Sequence, residues 1–245
     1  RWSSGSRTVT SSKNYLDEVN NLKNIFNKAL SYNSDFSKKL DLKLESMKNL
    51  FNGLQTLYLH AKDQRQIIDG VSFFKSLGID KIVVIGGDEA HQIIELLKNN
   101  NVSVIASHPH RLPSREDSDV KEAFKLAKTL VSSGINLSID VRGGMERPNT
   151  RNLPFFAGSF VGNGLDYDAA IKALTINPAK ILGIDKDYGS LEVGKSATFF
   201  VSKGDALDMK TNILYHAFID GRELELSNHQ TKLRDKFLEK VSRNN

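Results

Sequence analysis

Ala173-Leu174-Thr175-Ile176-Asn177-Pro178-Ala179-Lys180-Ile181-Leu182-Gly183, followed shortly by Gly189-Ser190-Leu191-Glu192-Val193-Gly194-Lys195-Ser196-Ala197, is the stretch on which the fold turns. Thr175 and Asn177 are side chains of the capping type, and Pro178 suits a first helical turn, where an N–H has no partner to lose. Gly183 ends that helix, because glycine enters a left-handed C-terminal cap without steric cost. Gly189 and Gly194 punctuate a short loop that leads into the strand-like Thr198-Phe199-Phe200-Val201. None of these residues is a catalytic type in a catalytic arrangement, so the stretch speaks of fold rather than chemistry.

Upstream, four short apolar runs read as strands: Gln55–His60, Lys81–Ile85, Val102–Ala106 and Ile135–Asp140. Helical patterns lie between them at about 63–77, 88–100 and 119–132. Strands alternating with helices imply parallel βαβ units and an α/β fold. Two amphipathic helices come first, one with Leu16, Val19, Leu22, Ile25, Phe26, Ala29 and Leu30 at helical spacing, the other running from Leu40 to Phe51. Further helices are expected at 166–176 and 178–182. A β-rich segment at 197–225 and a last helix with Leu233, Phe237 and Val241 on one stripe close the chain.

At 245 residues the chain is ample for a sizeable core. With 39% hydrophobic and 26% charged residues it has an ordinary globular composition, and no apolar run reaches the roughly 20 residues of a membrane-spanning helix. The net charge of +5 is spread along the chain, in contrast with the compact basic patch of a nucleic-acid binder. There is no Cys, so disulfides and thiolate metal sites are excluded, and a metal must rest on His, carboxylate or modified Lys. Composition assigns no compartment. The chain begins at Arg1, with Met only at positions 47, 145 and 209, and is expected to be the later portion of a longer polypeptide.

The Ala173–Ala197 run resembles the C-terminal signature of the metal-dependent amidohydrolase superfamily, especially its imidazolonepropionase-like branch. The resemblance covers residues from about 54 to 225 and implies a partial (β/α)8 (TIM-type) barrel with a C-terminal β-rich tail and a closing helix. The small, polar residues 1–12 read as a linker or frayed terminus, and the resemblance implies the later part of the barrel at 13–196 and, at 197–245, the tail of a composite small subdomain plus the terminal helix. In that arrangement Ile213–Ile219 leaves an apolar edge that a missing N-terminal segment or partner chain is expected to cover.

In such a barrel the site lies at the C-terminal ends of the strands. His60 closes the strand Leu57-Tyr58-Leu59 and resembles the metal-binding His of the family's fifth strand; the alternative is a strand-end His that caps the next helix or touches substrate without metal. Where the family presents a second His, Val83-Val84-Ile85-Gly86-Gly87-Asp88-Glu89 offers Gly86, which removes a ligand and fits a tight turn. In extended backbone, residues two apart face the same way, so His108 and His110 can approach one ion. His108 is thus a candidate metal ligand and His110 a candidate substrate contact, with a structural loop role as the alternative.

Asp140 lies close to the family's eighth-strand Asp, although a count from Gly134 brings Arg142 nearer that position. Facing the site, Asp140 is a general base toward water; facing away, it pairs with Arg142 or caps a loop. Glu146–Phe155 reads as a long active-site loop in which Arg147 or Arg151 can bind an anionic group of a substrate.

The resemblance implies metal-assisted hydrolysis of a non-peptide C–N bond in a small, cyclic molecule, with a divalent cation, zinc foremost, activating water. The rival is a catalytically degenerate barrel used for binding or assembly. A homo-oligomer is compatible with either. A chain that lacks its covering segment is expected to self-associate when produced alone, and recovery of a soluble, well-folded monomer in sedimentation measurements would overturn that expectation.

Overall fold

A computed structural model of the protein describes residues 2–4, 9–11, 14–34, 39–107, 109–113, 118–141 and 147–243. Two three-residue strands, β1 (Trp2–Ser4) and β2 (Val9–Ser11), pair antiparallel where the sequence alone suggests a linker or frayed end. The helix α1 (Tyr15–Ser34) buries Phe26, Ala29 and Tyr32 and leaves Leu16, Leu22 and Ile25 exposed. The single helix expected over Leu40–Phe51 is instead two short pieces, α2 (Leu42–Glu45) and α3 (Lys48–Phe51). Between the two pieces, the Ser46 hydroxyl donates to the Lys43 carbonyl at 2.8 Å.

The alternating part follows as β3 (Leu57–Ala61), α4 (Gln64–Ser76), β4 (Ile82–Gly86), a 3-10 turn at Ala90–Gln92, α5 (Ile94–Asn99), β5 (Ser103–Ala106), α6 (Glu122–Ser132) and β6 (Leu137–Ile139). The strand order is β3-β4-β5-β6, and β3 pairs parallel with β4 from Leu57↔Ile82 to Ala61↔Gly86. Ile82, Val83 and Val84 of β4 are all buried, as in a strand covered on both faces. On α4, Ile67, Val71 and Phe74 form the buried stripe, and Asp63 caps the helix by accepting the Gln66 N–H at 3.0 Å. The chain divides into two compact units, Arg1–Val104 and Ile105–Asn245.

In the second unit, the loop expected over Glu146–Phe155 is a 3-10 turn at Arg147–Asn152 that runs into a further helix, α7 (Leu153–Val161). Pro154 reads as a loop residue in the sequence, yet it sits in the helix's first turn, where its missing N–H is no loss. Phe156, Ala157 and Phe160 bury one side of α7. A β-carbon at Gly158 would lie 2.2 Å from the Leu207 carbonyl oxygen, so helix and tail approach as only glycine permits.

Next come α8 (Tyr167–Leu174) and α9 (Ile176–Leu182), with Gly183 in the left-handed C-cap at φ 72°. The Asn177 side chain does not cap; its Nδ2 donates to the Leu137 carbonyl of β6 at 2.8 Å. Thr175 likewise leaves the cap open, its hydroxyl donating to the Ile171 carbonyl at 2.7 Å. Gly189 lies against α9, where a β-carbon would sit 2.8 Å from that of Ala179. Beyond it, Lys195 Nζ donates to Ser190 Oγ at 2.6 Å, and the Ser190 hydroxyl donates to Glu192 at 2.6 Å, holding that carboxyl below its ordinary pKa.

The tail forms a separate antiparallel sheet of β7 (Phe199–Ser202), β8 (Leu214–Ile219) and β9 (Arg222–Glu223). Phe199 and Phe218 pair across it with ring centroids 5.0 Å apart. Phe200, Val201, Leu214, Tyr215 and Ile219 remain exposed. The last helix, α10 (His229–Ser242), starts with a capping box between Asn228 and Thr231 and buries none of its residues. Among the described residues, no helix is long and apolar enough to cross a membrane. Asn177→Ala leaves the Leu137 carbonyl without its side-chain donor and is expected to cost about 1–3 kcal/mol in urea unfolding; an unchanged midpoint would show that this bond does not hold α9 in place.

Candidate functional site

His60 is the penultimate residue of β3, paired in register with Ile85, and its imidazole is exposed. It lines a cleft of about 350 Å³ in the first unit, together with Tyr15, Leu22, Gln66 and Phe73. Beside it, β4 ends in Gly86 and is followed by Gly87, both in the left-handed half of backbone space at φ 103° and 58°. A β-carbon on Gly86 would lie 3.0 Å from the Ala61 carbonyl oxygen, and one on Gly87 would lie 3.0 Å from Val104 Cγ1. The tight turn anticipated from the glycine pair is therefore present, and it needs both glycines.

In the second unit, Asp140 directly follows β6, half-buried, and its N–H donates to the Ala106 carbonyl at 3.0 Å. His110 lies beyond the end of β5. Its ring meets Phe124 of α6 and Phe156 of α7 edge-on, at centroid distances of 5.7 and 5.6 Å. His110 Nε2 is 3.1 Å from Ser159 Oγ, and that hydroxyl also bonds the Phe155 carbonyl at 3.0 Å. The hydroxyl has one proton and the carbonyl can only accept it, so His110 donates from Nε2–H.

His110 opens onto a cleft of about 550 Å³ shared with Asn152, Phe155, Tyr167, Asp205 and Met209. Tyr167 donates its hydroxyl proton to Asp205 at 2.8 Å, a bond that raises the phenol's pKa. Aromatic walls with an imidazole, a phenol and a carboxylate at the rim suit a flat, polar small molecule. Arg151 is exposed on the 3-10 turn, and the backbone of Arg147 begins the same turn. His108 and Arg142 lie outside the described residues. Sequence reasoning missed Ser159, Tyr167 and Asp205. The spacing of Phe155, Phe156 and Ser159, which sets all three on one side of a helix, was the available signal for the first of them.

The model of the amidohydrolase family matches residues 41–224. A 5'-deoxyadenosine deaminase of Methanobrevibacter smithii is 25% identical over 226 residues, covering 85% of this chain and 46% of that protein. An imidazolonepropionase of Syntrophobacter fumaroxidans is 31% identical over 86 residues, covering 35% of this chain and 20% of that protein. The solved amidohydrolase of Thermotoga maritima superposes with a TM-score of 0.71 at 22% identity, covering 86% of this chain and 56% of that one, a likeness of fold. The chain thus spans less than half the length of the curated relatives it matches.

Among the described residues, no three His, Asp or Glu side chains gather into a group that could hold a metal ion. Position by position, His60 fits a ligand: it is an exposed imidazole at the C-terminal end of a strand. Gly86 does not fit one, since it has no donor and its backbone excludes a side chain. Gly86→Ala is expected to cost on the order of 1–3 kcal/mol in urea unfolding, from strain at positive φ and the contact with Ala61. A variant as stable as the parent would show that the turn has slack.

Proposed function

The chain belongs to the amidohydrolase family, and on that premise we propose that it forms the later part of a hydrolase or deaminase that cleaves a non-peptide C–N bond in a small, cyclic molecule. The supporting observation is the family match over 41–224 with an exposed His60 kept at the C-terminal end of β3. In this reading His60, with His108 as a second candidate, would hold a divalent cation, zinc being the ion a neutral imidazole suits. Such a cation, when bound, lowers the pKa of water toward neutrality. Asp140 accepts the proton of the attacking water and delivers it to the departing nitrogen as the C–N bond breaks. The His110 imidazole, its Nε2 held by Ser159, and the aromatic walls of its cleft orient the ring of the substrate, while Arg147 or Arg151 takes an anionic substituent. Segments from outside the chain complete the site and cover the apolar tail sheet, and a homo-oligomer is a further way of covering it.

Gly86 favours a second reading, a degenerate barrel that binds or assembles without catalysis. Metal content and kinetics of the full-length protein separate the two. His60→Ala is expected to lose bound zinc, and Asp140→Asn to lower kcat about 10²–10⁴-fold with little change in KM. Zinc retained in His60→Ala would remove His60 from the site, and no zinc in the metal-replete parent would favour the binding module.

A further inference from the structure

The turn after β4 does more than fit two glycines. The β3–β4 ladder ends at Ala61↔Gly86, but its hydrogen bonds continue past the strands. Gly87 N–H donates to the Ala61 carbonyl at 2.8 Å, and Glu89 N–H to the Lys62 carbonyl at 3.0 Å. The Glu89 side chain is only 4% exposed, and its Oε2 accepts the N–H of Gln64, the first residue of α4, at 2.9 Å. From the other side, Gln66 Oε1 accepts the Lys62 N–H at 3.2 Å. Ala61, Lys62 and Gln64 are thus all held by the four-residue turn Gly86–Glu89, immediately after His60.

Burying a carboxylate is costly unless its oxygens are bonded, and the N-terminus of α4 offers Glu89 both an N–H and the positive end of the helix dipole. Asp63 already caps this helix in the ordinary way, so Glu89 is a second acidic group at the same terminus, brought from the neighbouring strand. We propose that the Gly86–Glu89 turn is a latch and that Glu89 is a positioning residue, fixing the direction in which the strand end presents His60. Gly86, the last residue of β4, is the hinge of this latch. The proposal concerns the presentation of the imidazole and stands whether or not His60 takes an ion.

The test uses the full chain with isotope-labelled histidine. The side-chain resonance of His60 is assigned from its disappearance in His60→Ala, and His216 of β8 and His229 of α10, which belong to the other compact unit, serve as internal references. Glu89→Ala is expected to shift or broaden the His60 resonance while the two references stay in place. Glu89→Gln keeps an oxygen acceptor for Gln64 and is expected to restore the parent signal. Should Glu89→Ala fail to fold, Gln64→Pro removes the donor instead. Proline is tolerated at a first helical position, and Asp63 before it is already extended at φ −86°, ψ 156°. That variant is also expected to move the His60 resonance. An unmoved His60 resonance in Gln64→Pro and in any folded Glu89→Ala would overturn the proposal, as would a Glu89→Gln spectrum as disturbed as that of Glu89→Ala.

Discussion

The carboxamide of Asn177 reaches across 40 residues of sequence to the carbonyl of Leu137, in a strand whose three residues are all buried. β6 stands last in its sheet's strand order, and its two edges are not equivalent. Asp140 turns its N–H toward the Ala106 carbonyl of β5. Leu137, three residues earlier, therefore aims its carbonyl toward the opposite, outer edge, because successive peptide groups of a strand alternate sides. A buried carbonyl there needs a donor, and α9 supplies one. The helix in turn depends on Gly183 to end it and on Gly189 to let the returning loop lie against it. The Ala173–Ala197 run is a fastening between the last strand of the four-stranded sheet and the tail.

This fastening shows what a sequence reveals and what it withholds. The residue types were legible: a cap-type Asn, a Pro in a first turn, and glycines at the three positions that proved to have positive φ. The use of Asn177 was not, because its partner is set by tertiary packing. The four strands of the alternating part stand where the apolar runs indicate, within a residue or two at each end. The failures are local conflicts. A break at Ser46 and Met47 divides a helix whose apolar spacing is intact, and Pro154 disguises the start of α7 as a loop.

The candidate site divides the same way. His60 was legible as a histidine closing an apolar strand run that resembles the family's fifth strand, and it does stand near the end of β3. The glycine turn was legible too, but not its reason, which is the Ala61 carbonyl on the neighbouring strand. The setting of His110 was hidden, since its partners Phe124, Phe156 and Ser159 come from two helices, one of them unrecognised. A polar contact between residues 49 apart leaves no periodic trace in a single sequence.

Position 86 also limits how this chain can change. Its backbone conformation and the nearby Ala61 oxygen penalise every residue larger than glycine before the chemistry of the side chain matters. A mutational path that explored new ligands there one exchange at a time would pass through a weakened intermediate at the outset. Variation that reshapes the loop first, by insertion or by altering Gly87 and Glu89 together, is the route left open, so innovation at this strand end is gated by backbone geometry.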